Sequence, residues 1–303
     1  MSYMRTRRIV IAAASAAAAV LLLAGCVDNS TPTGGSSSSG SSSQVSKDAA
    51  AAKLLPAAVA KSGSLVIGMD NTYPPNEYKD DNGNPVGWDV DLAKAIAAKL
   101  GLKPQFAIAK FDNILPSITG GKDDIGVSSF TDTTEREQQV DFVNYYTAGI
   151  LWASAKGKTV DPDNACGLKV AVQSTTFEDT DEVPAKSKAC TDAGKPAIQV
   201  FRFDKQDDAT NAVILGQVDA MSADSPVTAY AIKQTGGKLQ AAGKTFDVAP
   251  YGFPVAKNTG MDKAVQAAVQ SLIDDGTYGK ILDKWGVSDG AVKTAEINAA
   301  SKG

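Results

Sequence analysis

From about residue 62 onward the chain alternates short apolar runs with helical stretches, and that alternation restricts it to an α/β fold with largely parallel sheets. Leu65-Val66-Ile67-Gly68-Met69 has the length and composition of a buried strand. Asp89 stands where it can cap a helix whose apolar face is Leu92, Ala93, Ile96, Ala97 and Leu100, with Gly101 as the stop. Gln105 to Ile108 and Asp124 to Ser128 read as strands. Between them Asp112 to Ile118 forms a short helix ended by Gly120-Gly121. Further strands are expected at Lys169 to Gln173, Ile198 to Phe203 and Val218 to Met221, alternating with helices near 183–190, 206–215 and 225–234. Helices at Met261 to Asp274, stopped by Gly276, and Thr277 to Trp285, stopped by Gly286, complete the pattern. No repeat of solenoid period is visible.

The first 25 residues follow a different logic. Arg5, Arg7 and Arg8 precede an uncharged, alanine-rich run from Ile9 to Gly25, the pattern of an export signal. The run is short for a bilayer crossing, which needs about 20 strongly apolar residues. It ends in Leu23-Ala24-Gly25-Cys26, which looks like a bacterial lipobox, with Cys26 lipidated as the new N-terminus. A plain membrane anchor, or a secretory signal beside an unrelated cysteine, is the alternative. Two or more acyl chains, at about 0.8 kcal/mol per buried methylene, would hold a protein on a membrane without a spanning helix. The Gly/Ser-rich stretch that follows cannot bury enough surface to fold, and reads as a tether reaching roughly 25 Å.

Composition narrows the chemistry. The 303 residues suffice for about two domain-sized units, and 43% hydrophobic with 21% charged residues is globular. There is no histidine, which excludes Ser-His-Asp and Cys-His catalysis and imidazole-ligated metals. The formal charge of -4 becomes more negative if Arg5, Arg7 and Arg8 are removed with the signal, so no nucleic-acid partner is expected. Cys166 and Cys190 lie in the exported part and are expected to be bonded; two buried free thiols are the alternative. No Cys-x-x-Cys spacing suggests a catalytic dithiol.

From about Gly63 to Val287 the sequence resembles the amino-acid-binding lipoproteins of ABC importers, the polar-amino-acid branch of the bacterial solute-binding proteins. The resemblance rests on segments in order: Val66-Ile67-Gly68-Met69-Asp70-Asn71-Thr72-Tyr73-Pro74-Pro75, Gly87-Trp88-Asp89-Val90-Asp91-Leu92-Ala93, Phe111-Asp112-Asn113-Ile114-Leu115-Pro116-Ser117, and Asp124 through Thr131 with Thr134-Glu135-Arg136. Later segments are Val140-Asp141-Phe142, Val170 through Thr176, Gly216-Gln217-Val218-Asp219-Ala220, Pro250-Tyr251-Gly252, and Asp275-Gly276-Thr277-Tyr278 through Lys284-Trp285-Gly286. The resemblance implies a two-lobed periplasmic-binding-protein fold of type II, with mostly parallel sheets flanked by helices and the ligand between the lobes. The implied boundaries are a lipoprotein signal at 1–25, lipidated cysteine and tether at 26–61, lobe one at 62–152 plus 250–290, lobe two at 153–249, and a tail at 291–303.

It also implies a site. A zwitterionic amino acid needs a cation for its carboxylate, an anion for its ammonium and a pocket for its side chain. Arg136 matches the family's carboxylate-binding arginine, since a guanidinium fork takes both oxygens; otherwise it is a solvated helix-start arginine. Asp224 matches the ammonium acceptor, or else is an N-cap before Ser225-Pro226. Ser129, Thr131 and Thr176 match positions whose backbone and hydroxyl groups meet the ligand, or serve ordinary turns. Tyr73 and Phe111 match the aromatics that sandwich the side-chain stem, or are core residues. Asp70 matches a position touching the distal polar end, or is a turn residue. Asn76 stands where the family often has an aromatic, and Thr175 and Phe177 replace small or polar residues. The expected function is a lipid-anchored extracytoplasmic receptor, acting as a monomer, that passes a polar amino acid to an ABC permease. Asp70 favours glutamine or a basic amino acid over glutamate. No catalytic residue, metal or cofactor is expected. A sensor working through a partner chain, or a dehydratase-like enzyme on the same scaffold, is the alternative.

Overall fold

In the computed structural model, which describes residues 45–302, two α/β lobes are joined by two long strands. In chain order the strands are β1 (Ser64–Met69), β2 (Thr72–Tyr73), β3 (Glu77–Lys79), β4 (Pro85–Val86), β5 (Lys103–Ile108), β6 (Ile125–Gly126), β7 (Val140–Ala155), β8 (Lys169–Gln173), β9 (Gln199–Phe203), β10 (Ala220–Asp224), β11 (Leu239–Ala256) and β12 (Ala291–Ile297). The helices are α1 (Ala49–Lys53), α2 (Ala57–Ser62), α3 (Trp88–Leu100), α4 (Phe111–Thr119), α5 (Val183–Asp192), α6 (Gln206–Ile214), α7 (Ser225–Gln234), α8 (Met261–Asp274) and α9 (Thr277–Trp285).

Lobe one is built on the parallel sheet β5-β1-β6. Leu65, Ile67 and Met69 alternate along β1 and are fully buried. The expected apolar face of α3 is buried, and the helix stops at Gly101 with a left-handed φ of 71°. Trp88, Tyr145, Tyr251, Phe253 and the α8 residues Val265 and Leu272 complete this core. Each fully buried large apolar side chain contributes about 1.5–3 kcal/mol.

Asp89 does not cap α3. Gly87 occupies the N-cap, and Asp89 turns a fully buried carboxylate toward Ser129 and Tyr145. A Cβ at residue 87 would lie 2.0 Å from the Asn76 carbonyl oxygen, so only glycine lets the β2–β3–β4 segment sit against the helix start. This places Asn76 and Glu77 over Asp89.

Lobe two carries the parallel order β9-β8-β10. Val170 and Val172 of β8 pack with Trp152 and Val183 on one face. Ala171 packs with Ala209, Val213 and Met221 on the other. Cys166 and Cys190 are bonded, with Cα atoms 5.5 Å apart, and tie the segment before β8 to α5.

β7 and β11 are the crossings. They pair antiparallel along most of their length; β7 also pairs β12 through its first half and β10 through its second. One antiparallel ribbon therefore threads both lobes, with register breaks between Ala242 and Phe246 and between Phe246 and Ala249. Most of β7 is buried, so its residues show no alternation by which to recognise a strand.

Two boundary expectations change. Residues from 45 to 61, assigned to the tether, include α1 and all but the last residue of α2. Ala51 is buried in the lobe-one core, and the Asp48 N–H donates to the Lys99 carbonyl. Residues 291–303, read as a tail, supply β12 on the edge of β7. The N–H groups of Ala299 and Ala300 donate to the buried Asp132 carboxylate at 2.9 and 3.3 Å. The export signal, Cys26 and the Gly/Ser-rich stretch lie outside the described residues. Among the described residues, no helix is long and apolar enough to cross a membrane.

Candidate functional site

The C-terminal ends of the parallel strands of both lobes converge on one cleft, the position where open α/β sheets bind ligands. Lobe one contributes Asp70 from the end of β1, Tyr73 from β2, Glu77 from β3 and Phe111 from the first turn of α4. Ser128, Ser129 and Thr131 follow β6, and Arg136 starts a single 3-10 turn before β7. Lobe two contributes Gln173 at the end of β8, Thr176 and Phe177 just beyond it, Glu178 in a π-helical turn, and Asp224 at the end of β10. The space these groups leave between them is about 10 Å³, the room of about one water molecule, so the cleft is closed on its own side chains. All eight residues singled out from the sequence line this one space.

Contacts between the lobes hold the cleft closed. The Tyr73 hydroxyl donates to Asp224 Oδ2 at 2.6 Å, and Gln173 Nε2 donates to Asp70 Oδ2 at 2.9 Å. Arg136 Nη2 donates to the Thr175 carbonyl at 2.9 Å, while Nη1 donates to the Thr131 carbonyl at 2.8 Å. Nearer the rim, Lys110 pairs with Asp204 at 2.6 Å.

The alternatives for the two charged residues can be judged on geometry. Asp224 immediately precedes α7, yet its carboxylate makes no capping bond. It is buried and turned to Tyr73 instead. Arg136 is half-buried, with its guanidinium 5.8 and 5.7 Å from the ring centroids of Phe111 and Phe130, which stack at 4.3 Å. Two of its five N–H donors are engaged by backbone carbonyls, leaving three for an anion.

Charge is the distinctive property of this pocket. Asp70, Glu77, Glu178 and Asp224 face a single cation, Arg136. Burial pushes all four carboxyls above their ordinary values, Glu77 and Asp224 well above. Asp89 adds repulsion at Glu77, and Glu178 adds it at Asp224. Burial draws the Arg136 guanidinium down, while Glu178 opposes that effect. Glu178 Oε1 is buried with no hydrogen-bond partner. A bound cation would offset the cost of the buried carboxyls. Among the described residues, no cluster of His, Cys, Asp and Glu has the arrangement of a metal site.

Glu77, Ser128, Gln173 and Glu178 escape the sequence reading, and Phe177 enters it only as a departure from the family. Glu178, in Thr-Thr-Phe-Glu-Asp, reads as a helix-start acid. Gln173 reads as the end of a strand. The Pro-Pro-Asn-Glu segment was a usable signal for Glu77, because a turn places its last residue back over the strand end.

The family described as bacterial extracellular solute-binding proteins, family 3, matches residues 65–288. The arginine-binding protein ArgT of Corynebacterium glutamicum is 40% identical over 247 residues, covering 81% of each chain. The L-cystine-binding protein TcyJ of Escherichia coli is 26% identical over 233 residues, 75% of this chain and 84% of that one. An ancestral arginine-binding protein, solved with arginine and with glutamine, superposes with a TM-score of 0.68 at 36% identity, over 74% of this chain and 98% of its own.

Proposed function

The chain belongs to family 3 of the bacterial extracellular solute-binding proteins, and on that premise we propose that its cleft captures a free amino acid with a cationic side chain, arginine foremost, for delivery to an ABC importer. It is a binding protein rather than an enzyme, as its relatives are. The observation that carries the ligand class is the surplus of four carboxyls over one guanidinium in one closed cleft between the lobes. Arg136 takes the α-carboxylate with its free N–H donors, helped by Thr131 and Thr176. Asp224 takes the α-ammonium. Tyr73 and Phe111 lie along the stem, and Asp70 receives the distal cation. Because Arg136 and Asp224 stand on different lobes, one zwitterion bridges them and couples binding to closure. Calorimetry across the twenty amino acids tests this reading. Arginine, then lysine, should bind most tightly and without turnover; a preference for glutamate or for apolar residues contradicts it.

The receptor works outside the cytoplasm, and in this proposal it is a monomer tethered through lipidated Cys26. Cys26→Ala should release it from membranes or leave it unprocessed. A mature, shortened Cys26→Ala chain that still fractionates with membranes would remove the anchor from the proposal.

A further inference from the structure

Below the distal end of the cleft, two fully buried carboxyls meet at one hydroxyl. Ser129 Oγ lies 3.0 Å from Glu77 Oε2 and 3.0 Å from Asp89 Oδ2. A hydroxyl has one proton to donate, and this one also accepts from Asn76 Nδ2 at 2.8 Å. With both carboxyls ionised, one of the two oxygen contacts would have no hydrogen between its atoms.

The surrounding donors indicate which carboxyl is the anion. Asp89 Oδ2 accepts from the Ser129 N–H at 3.2 Å, from Ser129 Oγ and from the Tyr145 hydroxyl at 2.8 Å. Glu77 Oε1 receives only the Ser128 hydroxyl at 3.2 Å, which itself accepts from the Asp70 N–H. A consistent assignment follows: Asn76 and a protonated Glu77 donate to Ser129 Oγ, and Ser129 donates to ionised Asp89. Ser129 is held for this role in a left-handed conformation, φ 50°, unusual for a residue with a side chain. The titratable groups acting on the pair from neighbouring elements are Asp70 at the end of β1 and Tyr145 of β7, with Tyr146 of β7 and Tyr278 of α9 beyond; none is a cation. Burial accordingly lifts Asp89 to about 6 and Glu77 well above its ordinary value.

Glu77 lines the pocket, whereas Asp89 lies behind it. Resting on the amino-acid reading above, we infer that Glu77 and Asp89 share one exchangeable proton through Ser129, and that this proton decides whether the distal end of the cleft takes a cationic or a neutral amide side chain. With the proton in place, Glu77 is a neutral donor or acceptor suited to a carboxamide. When a guanidinium or ammonium arrives, opposite charge favours ionised Glu77, and the proton leaves to solvent. Affinity for a cationic ligand then rises with pH between the bound-state and free-state pKa of the pair, and flattens outside that window. Affinity for glutamine does not rise.

The test is calorimetry of arginine and glutamine against the full chain from pH 5.5 to 8, in two buffers of different ionisation enthalpy. Arginine affinity should rise about tenfold or more across the range, with up to about one proton released per ligand. Glutamine affinity should stay level or fall, with no release. Glu77→Gln should abolish the release and the pH dependence, weakening arginine at pH 8 more than glutamine. Asp89→Asn, which removes the repulsion but keeps the shape, should move the arginine window to lower pH. Arginine binding without proton release, with a pH profile parallel to that of glutamine, overturns the inference while leaving the receptor reading intact. If neither amino acid binds at any pH, the receptor reading fails and the shared-proton inference falls with it.

Discussion

Asp224 is free to act on a ligand because the helix it precedes does not use its carboxylate, and Tyr73 alone would not compensate a fully ionised form there. Arg136 likewise keeps donors in reserve. Removing one member of a desolvated charge pair costs about 2–5 kcal/mol, largely by stranding the other. Arg136→Ala should therefore weaken arginine binding by roughly 30-fold or more, and Asp224→Asn comparably, with circular dichroism unchanged. A folded variant of either kind with native affinity would move the zwitterion clamp elsewhere. Glu182 makes a second prediction, about stability. It is buried between Trp152 Nε1 and the Ser222 hydroxyl, and burial lifts its pKa from 4.5 to about 8. The folded state thus holds a proton that the unfolded chain gives up. The stability this provides is complete below the ordinary value and is lost as pH rises toward 8. Urea melts should show stability falling by about 1–3 kcal/mol from pH 5 to 8, and falling less in Glu182→Gln. An equal fall in both would assign the slope to other groups. At this scale the motif-bearing residues were legible, because a motif carries its partner's chemistry. Glu178 and Gln173 were not, because their burial arises only when β8 and β10 bring lobe two against Asp70 and Arg136.

Helices with a clear apolar stripe and a glycine stop were legible to the residue: α8 and α9 begin and end as their pattern indicates, and α7 spans 225–234. The crossing strands were not: β7 is buried on both faces and has no period-two signature, while β11 carries Gly243, Asp247, Pro250, Gly252 and Pro254, residues that read as turns rather than as a strand. The C-terminal strand was missed for another reason. Ala291–Ile297 is short and mostly exposed, and its stabilisation comes from pairing with β7 and from the residues after it that serve Asp132. Burial raises Asp132 to about 6, and the Ala300 N–H is among the bonds opposing that shift. Ending the chain after Gly290 should therefore cost about 2–4 kcal/mol, through the loss of Ala295 and Ile297 packing and the exposure of Asp132. A thermal melt should fall by about 2–4 °C for each kcal/mol. A truncated chain melting with the intact one would return this segment to the status of a tail.

At the scale of the whole molecule, the ribbon of β7 and β11 joins two lobes whose facing edges carry Arg136 and Asp224. Tyr73–Asp224, Gln173–Asp70, Arg136–Thr175 and Lys110–Asp204 all span the cleft, so closure is built from polar contacts that an opened cleft would exchange for water. Such contacts are individually weak, about 0.5–1.5 kcal/mol net. A ligand that satisfies Arg136 and Asp224 together can therefore decide the balance between open and closed states. The central claim is that a single amino acid spans the lobes with its carboxylate on Arg136. The most direct measurement is calorimetry of arginine and of its decarboxylated analogue, agmatine, on the native chain and on Arg136→Ala. The account predicts that agmatine binds the native chain at least about 30-fold more weakly than arginine, and that the two bind Arg136→Ala almost equally. Independent losses, with arginine keeping its full advantage over agmatine in the variant, would contradict it.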